Sequence, residues 1–421
     1  MNNPIRPGTE WLYQAPDDWD IIPIKYCTEC IDSQRIPLNS EERDDIQGEI
    51  PYWGAGGIVD HIDDWIFNEE LVLLGEDGAP FDEPYRPVAH YVNEKVWVNN
   101  HIHILRPEPS IKAQFLVYAL NCIDYAPFLS GSTRDKLTQD AMGEIPIPCP
   151  SLSKQRQIIE YIENNTSDLD KLISEKEELL GKLNEKQSSL ITHYVTNGTG
   201  DQNLVKGSGI PTFGEIPAHW EVAPNTAVFD EVNNESVDGK GELLSVSENT
   251  GVTPRSEKDV NMFEAESLEG YKIAQQGDLI INTMWAWKGA AGISPQRGLV
   301  SPSYHVYRPN DKIVPKFADF LYRSPPYVSE MARFSEGVWK SRNRLYPYVF
   351  LRMDTVLPPK EEQKRIVDEL SSELNAIENL ISKLESSIEI LKEKRQSLIT
   401  KAVTGQVDIR DVEDDEIEVE V

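Results

Sequence analysis

An α/β protein with two similar globular domains, joined by two long helices that form an antiparallel coiled coil with pseudo-two-fold symmetry, is what this 421-residue sequence predicts. Three observations lead there. A segment of about 200 residues occurs twice, a heptad pattern closes each copy, and short strand-like runs among Gly, Pro and aromatic residues precede each heptad segment. The length suits two or three ordinary domains, and 39% hydrophobic residues can supply their cores.

The repeat comes first, because a missed repeat misassigns everything inside it. Gln155-Arg156-Gln157-Ile158-Ile159 matches Gln363-Lys364-Arg365-Ile366-Val367 at an offset of 208. That offset holds without a gap to Ser189-Leu190-Ile191-Thr192 over Ser397-Leu398-Ile399-Thr400, and it also pairs Arg134-x-x-Leu137 with Arg342-x-x-Leu345. Upstream the offset becomes 202, with His103/His305, Arg106/Arg308 and Pro107/Pro309 coinciding, and at the front Pro16-x-x-Trp19 lies over Pro217-x-x-Trp220 at 201. The resulting division is a globular domain at 1–150, a helix at 151–197, a second globular domain at 198–357, a second helix at 358–405, and an acidic tail at 406–421 that is expected to be disordered. Trp97-Val98-Asn99 and Asp278-Leu279-Ile280-Ile281 read as strands within the domains.

In the C-terminal helix, apolar residues at Ile366, Leu370, Leu374, Ile377, Ile381, Leu384, Ile388, Leu391 and Leu398 alternate steps of three and four, with Arg395 interrupting the seam. That is a coiled-coil heptad. The N-terminal helix keeps Ile158, Ile162, Leu169, Ile173, Leu180, Leu183 and Leu190 but carries Thr166, Lys176 and Gln187 in the seam. Ser151 and Pro358-Pro359 are start signals; Asn197-Gly198 and Gly405 are stops. Pairing within the chain fits two helices of equal length, and pairing between chains is the alternative.

The net charge of −30 argues against a nucleic-acid partner until its distribution is considered. Residues 408–421 carry −7, whereas 285–344 carries +6 and 86–136 carries +2, and these two basic windows coincide under the repeat. No apolar run is long enough to span a bilayer, and Met1-Asn2-Asn3-Pro4 lacks the pattern of a secretion signal. Four cysteines are too few for a disulfide scaffold. The expectation is therefore a cytoplasmic protein with no membrane partner.

Specific motifs then stand in order along the chain: Ile50-Pro51-Tyr52-Trp53-Gly54-Ala55-Gly56-Gly57-Ile58, Leu74-Gly75-Glu76-Asp77-Gly78, Trp97-Val98-Asn99-Asn100-His101, and Ile145-Pro146-Ile147-Pro148 leading into Gln155-Arg156-Gln157. Val356-Leu357-Pro358-Pro359 leads in the same way into Glu362-Gln363-Lys364-Arg365. In their order and duplication they resemble the specificity subunits of type I restriction-modification systems, over nearly the whole chain up to about Val407. The resemblance implies two target-recognition domains, each reading one half of a bipartite double-stranded DNA target, and helices that set the spacing and dock two methyltransferase subunits. Restriction subunits join when present. It implies no chemistry and no cofactor in this chain: S-adenosylmethionine would belong to the methyltransferase subunits, ATP and Mg to the restriction subunits. A non-catalytic tandem-domain adaptor that binds no DNA is the main alternative.

Candidate DNA contacts lie in the two basic windows, since Arg can bond guanine in two places and Lys or Ser can hold phosphate. They are Lys288, Arg297, Trp339, Lys340, Ser341, Arg342 and Arg344 in the second domain, and Arg86, Lys95, Arg134 and Lys136 in the first. Arg134 and Arg342 are equally candidates for intradomain ion pairs. Trp285 and Trp287 could stack on bases or wedge between them, but large aromatics in a strand context are more often core residues. Asn99, Asn100 and His101 fit a turn-fixing role as well as a base contact.

Three lesser signals point elsewhere. Ser324-Pro325-Pro326-Tyr327 resembles the substrate motif of amino-methyltransferases, and Tyr52-x-Gly54-x-Gly56 their cofactor loop, but the glycines open no helix and the prolines read as a helix-ending turn. Cys27-x-x-Cys30 has zinc spacing without a second close pair, since Cys122 and Cys149 stand far apart in sequence, so no metal is expected. His103 and His305 fall in apolar stretches where a structural histidine is expected.

Overall fold

The computed structural model describes residues 12, 15–83, 85–131, 135–200, 204–257, 267–337, 343–407 and 409. Two compact units divide the chain: residues 1–177 with 385–421, and residues 178–384. Each holds one sheet-rich domain and part of each long helix, Leu152–Asn197 and Lys360–Val403. None of the described helices is long and apolar enough to cross a membrane.

In the first unit, Asp20–Pro23 pairs antiparallel with Pro146–Cys149 and so closes the two ends of the domain on each other. Beside this pair runs an antiparallel sheet in the order Thr28–Cys30, Ile102–Pro107, Leu71–Gly75, Ala89–Val92. The strand Leu71–Gly75 is buried throughout, which explains its uninterrupted apolar sequence: side chains alternate across a strand, and here both faces are covered. Val72 and Leu74 enter the core with helix Ala113–Leu120, whereas Leu71 and Leu73 join Ile31, Phe67, Val96 and Val98 on the opposite face. That opposite face belongs to a second sheet, ordered Gly57–Ile62, Gln47–Gly54, Lys95–Val98, Phe67–Asn68.

The second unit repeats the frame strand for strand. Glu221–Pro224 pairs with Asp354–Leu357, and the sheet runs Phe229–Val232, Tyr304–Pro309, Leu279–Asn282, Ala291–Ile293. Leu279 and Ile281 face the core with helix Pro315–Arg323, while Ile280 faces the other way, into Leu244, Val246 and Val252. Here the outer layer differs. It consists of the hairpin Leu244–Ser247/Gly251–Pro254 and the pair Lys272–Ala274/Gly298–Val300.

Side chains that match across the repeat make matching contacts. Gln155, with no exposed surface, donates from Nε2 to the carbonyls of Ser110 (3.0 Å) and Pro150 (2.8 Å) and accepts from Lys112 N–H (2.8 Å). Gln363, equally buried, donates to Lys312 (2.9 Å) and Pro358 (2.8 Å) and accepts from Val314 N–H (2.7 Å). Arg106 grips Glu69 through two bonds of 2.8 and 2.9 Å, and Arg308 grips Asp278 through two of 2.9 Å. Trp19 N–H and Trp220 N–H each bond the proline carbonyl three residues back at 3.0 Å. Against these tryptophans sit the helix-ending glycines, Gly405 (φ +72°) on Trp19 and Gly198 (φ +74°) on Trp220. A Cβ at either glycine would meet Pro16 at 2.5 Å or Glu362 at 2.6 Å, so conformation and space both require glycine.

Both helices start where expected. Ser151 Oγ accepts from Lys154 N–H (3.3 Å), and the Pro359 carbonyl takes the N–H groups of Glu362 and Gln363. Within the first unit, Asp170 pairs with Arg395 and Glu177 with Lys392, so one helix descends in number as the other rises. The seam cation Arg395 thus has a carboxylate partner, and the polar seam residue Thr166 is 3% exposed. In the second unit Tyr194 donates to Glu373 at 2.7 Å. The acidic segment begins later than residue 406: Val407 packs against the first core, Ile409 is buried in it, and Lys154 bonds the Ile409 carbonyl.

Replacing Gln363 by Ala would leave the Val314 N–H and two carbonyls buried without partners, at a cost on the order of 3 kcal/mol. Urea unfolding of the Gln363→Ala chain should show that loss, and Gln155→Ala should show a similar one in the first unit.

Candidate nucleic-acid interface

In both units the same backbone bond fastens the turn that follows the central buried strand. Leu137 N–H donates to the Glu76 carbonyl (2.8 Å), and Leu345 N–H to the Thr283 carbonyl (3.0 Å). These leucines close the two Arg-x-x-Leu segments of the repeat, and both are buried. Lys136 and Arg344 therefore occupy equivalent places, one residue before the anchor. Their surroundings differ. Lys136 Nζ lies 3.0 Å from Glu76, which Arg35 also holds at 2.6 Å. Burial alone would raise the Glu76 carboxyl, but hydrogen bonds from Arg35 and Lys136 outweigh it and leave the group below its ordinary value. In the second unit the place of Glu76 is taken by Thr283, and Arg344 is exposed with no side-chain ion pair among the described residues.

The turn after Leu279–Asn282 carries Met284, Trp285, Trp287 and Lys288. A strand would have buried these tryptophans; instead they sit on a single 3-10 turn, Ala286–Lys288, and Trp285 is 46% exposed. The core reading of the two rings is therefore corrected, and Ala286 is the residue of this turn that points inward. The rings are nearly parallel (14°) with centroids 6.4 Å apart, and Lys288 Nζ lies 4.7 and 5.3 Å from them. An ammonium over two indole faces is held by their quadrupoles, and Lys288 has no carboxylate partner among the described residues. Beyond Arg344, Tyr346 and Tyr348 are exposed and stacked at 5.9 Å, with exposed Phe334 and Arg352 bordering the same shallow cleft as Tyr348. Exposed aromatics interleaved with unpaired cations suit a surface for nucleic acid.

In the first unit an element of the same kind occurs. Lys95 Nζ lies 3.6 Å from the ring centroid of Trp65, which is 42% exposed. Arg86, by contrast, pairs with both oxygens of Glu83 at 2.8 Å and lies against Gly56 in the Tyr52–Gly57 hairpin. Of the candidates read from sequence, Lys288 and Arg344 stand on the two segments that the Leu345–Thr283 bond joins, whereas Arg297 is exposed in a separate turn before Gly298–Val300. Arg134, Trp339, Lys340, Ser341 and Arg342 lie outside the described residues. Trp65, Tyr346, Tyr348 and Arg352 were not foreseen. The Lys95–Trp65 contact joins residues far apart in sequence and left no local signal, while Tyr346-Pro347-Tyr348 beside an Arg-rich run was one.

The sequence model of the family described as "Type I restriction modification DNA specificity domain" matches residues 16–181. A Haemophilus influenzae protein named as a type I restriction enzyme specificity subunit is 25% identical over 89% of this chain and 91% of its own length. The MjaVIII specificity subunit of Methanocaldococcus jannaschii is 22% identical over 95% of each chain. Over residues 16–181 the chain matches this family's domain, and over nearly its whole length it is similar to type I specificity subunits. Its fold is similar to that of a solved chain from work on complex assembly and conformational transition of the type I R-M system, with a TM-score of 0.56, 16% identity, and 93% of this chain and 99% of that one covered. The matched family segment covers most of the first copy of the repeat, and the contacts repeated around Gln363, Arg308 and Trp220 extend the same design to the second.

The remaining sequence signals resolve into structural roles. Ser324 is fully buried and its hydroxyl donates to Leu321 (2.6 Å); the two prolines do not merely end a helix but open the next one, Pro325–Phe334. Tyr327 is enclosed and bonded to Asn225. Tyr52 is buried with its hydroxyl on the Leu38 backbone, and Gly54 and Gly57 form a strand turn. Asn99 Oδ1 accepts from Asn100 N–H at 2.5 Å, the turn-fixing role. Cys27 is enclosed, and burial pushes its thiol up to about 12. Cys30, Asp32 and His103 bring donor atoms within 4.8 Å of one another, and two of them have protein partners: His103 bonds Asp32 (2.6 Å) and the Leu137 carbonyl (2.8 Å), and Asp32 accepts Ile104 N–H (2.7 Å). Burial opposes ionisation of Asp32, yet the bonds from His103 and Ile104 hold its carboxyl below the usual value.

Because the folded carboxyl of Asp32 is depressed, its contribution to stability is complete above the ordinary carboxylate value of about 3.9 and is lost as pH falls through the lower folded one. Asp32→Asn should cost roughly 2 kcal/mol at pH 7 and should flatten the acid-side decline of the urea midpoint. A parallel decline in both chains would assign the acid sensitivity elsewhere.

Proposed function

We propose that this chain is the DNA sequence-specificity subunit of a type I restriction-modification complex and reads a bipartite target, one half-site per globular domain. The observation that carries the reading is an exposed tryptophan under a lysine on each unit of a duplicated frame, Trp65 with Lys95 in the outer sheet of the first and Trp285 with Lys288 on the turn after the central strand of the second. Duplex DNA offers phosphates to the cations and base edges to the polar groups beside them. The subunit performs no chemistry itself. Methyltransferase subunits with S-adenosylmethionine modify the target, and restriction subunits with ATP and Mg join when present.

The two domains divide the electrostatic work unequally. Arg86, Lys136, Arg35 and Arg106 of the first are committed to carboxylates, whereas Lys288 and Arg344 of the second are available to phosphate. With a net charge of −30, the chain leaves much of the phosphate neutralisation to its partners.

Methylation mapping in a host carrying this chain with its methyltransferase should return a split motif, and exchanging residues 1–150 for another such domain should change one half only; a change in both halves, or in neither, rejects the reading. The isolated chain should bind DNA weakly, with tight, salt-sensitive binding restored by the methyltransferase subunits. In that complex Lys288→Ala and Arg344→Ala should each lower the salt slope by about one, while Arg86→Ala should leave it unchanged.

A further inference from the structure

The two copies of the repeat place opposite chemistry at one position. After the central strand, the first unit has Gly75-Glu76-Asp77-Gly78, an acidic turn tied to Arg35 and Lys136. The second unit, fastened by the same leucine N–H bond, has Thr283-Met284-Trp285. Here the turn exposes apolar side chains where its twin exposes paired charges, and it is rigid. Trp285 N–H bonds the Asn282 carbonyl (3.0 Å), and the Trp285 carbonyl takes the N–H groups of Lys288 (3.0 Å) and Ala290 (3.2 Å). Met284 N–H bonds Asn282 Oδ1 (3.2 Å), Trp287 Nε1 donates to the Met284 carbonyl (3.0 Å), and Thr283 Oγ1 to Ser303 (3.2 Å). Gly289 closes the turn at φ +93°, against Val328 of the neighbouring helix.

Single exposed apolar residues are ordinary on a protein surface. A tryptophan and a methionine held out by so many backbone bonds are not accounted for by that base rate, because nothing in the core needs this turn to project. Their ordering has been completed before any partner arrives, which is the condition for strong contact at low entropic cost. The surrounding charge defines the partner: Lys288 over the rings and Arg344 one residue before the Leu345 anchor are cations without ion-pair partners among the described residues, complementary to a polyanion that also has flat apolar faces. Stacked bases flanked by phosphates have both.

We propose that Trp285 is an intercalating wedge: on binding, its ring enters the base stack at one step of the half-site read by residues 198–357, braced by Trp287, while Lys288 transfers from the indole faces to a flanking phosphate. Apolar side chains inserted between base steps partly unstack and kink the duplex, so this half-site is read by deformability as well as by base edges. The acidic twin turn of the first unit cannot act in this way. The proposal rests on the DNA reading above and adds the mode of contact.

The test uses the complex of this chain with its methyltransferase subunits and duplexes in which 2-aminopurine replaces adenine at successive positions of the mapped target. The wild-type complex should raise 2-aminopurine fluorescence severalfold at one step of the second half-site and at none opposite the Glu76 turn. Trp285→Ala should abolish that rise and weaken specific binding about ten- to hundredfold, and Trp285→Phe, which keeps a flat ring, should restore part of both. Unchanged fluorescence at every step in a complex that still binds its target would overturn the wedge while leaving the specificity reading intact. So would an equal loss of affinity for target and unrelated DNA in Trp285→Ala, which marks a backbone contact. A wild-type complex that binds no duplex would remove both readings together.

Discussion

A buried glutamine at the root of each long helix is the interaction on which the molecule's geometry depends. Its amide ties the start of the long helix, and the proline two residues before that helix, to a distant piece of backbone, the loop entering the domain's helix. Because one side chain satisfies two carbonyls and one N–H in a dry site, no other residue type of similar size could replace it without leaving a buried group unpaired. The clamp spans the point, within the domain, where the repeat offset changes from 202 at Lys112/Val314 to 208 at Gln155/Gln363, and its contacts are the same on both sides. The loops between these anchors can vary in length; the clamp cannot.

With the frame fixed in this way, the divergence of the two copies is confined to the outer layer and to side chains on shared turns. The first unit covers its sheet with a second four-stranded sheet, and the second unit uses two smaller strand pairs. At the turn after the central strand, the exchange of Glu76 for Thr283 alters the state of a cation elsewhere: Lys136 is neutralised, and its equivalent Arg344 is not. A basic window counted along the sequence therefore overstates the charge available in the first unit and understates the contrast between the two.

Much of the architecture was legible in the sequence because it rests on local or periodic signals. Heptads announce the helices, Gly198 and Gly405 end them, and uninterrupted apolar strands such as Leu71–Gly75 declare burial on both faces. The internal repeat supplied what a single copy could not, since Gln155 and Gln363 or Trp19 and Trp220 gain meaning only as pairs. The interface was less legible. Whether Arg86 or Lys288 is available depends on carboxylates and rings brought near by folding, and the solvent exposure of Trp285 depends on a 3-10 turn that strand-like neighbours concealed. Ser324-Pro325-Pro326-Tyr327 misled for the opposite reason, since a short motif carries no information about being enclosed.

The order of the two units along the chain has a consequence for biogenesis. The second unit is one uninterrupted stretch, but the first is completed only by residues 385–421, whose Ile399, Ala402, Val403 and Ile409 fill its core. During vectorial synthesis the first unit must therefore wait, with part of its apolar interior open to water, until residues 399–409 leave the ribosome. Ribosomes that stall late would release chains whose defect lies at the beginning, not the end, which gives quality-control machinery a built-in mark of incompleteness.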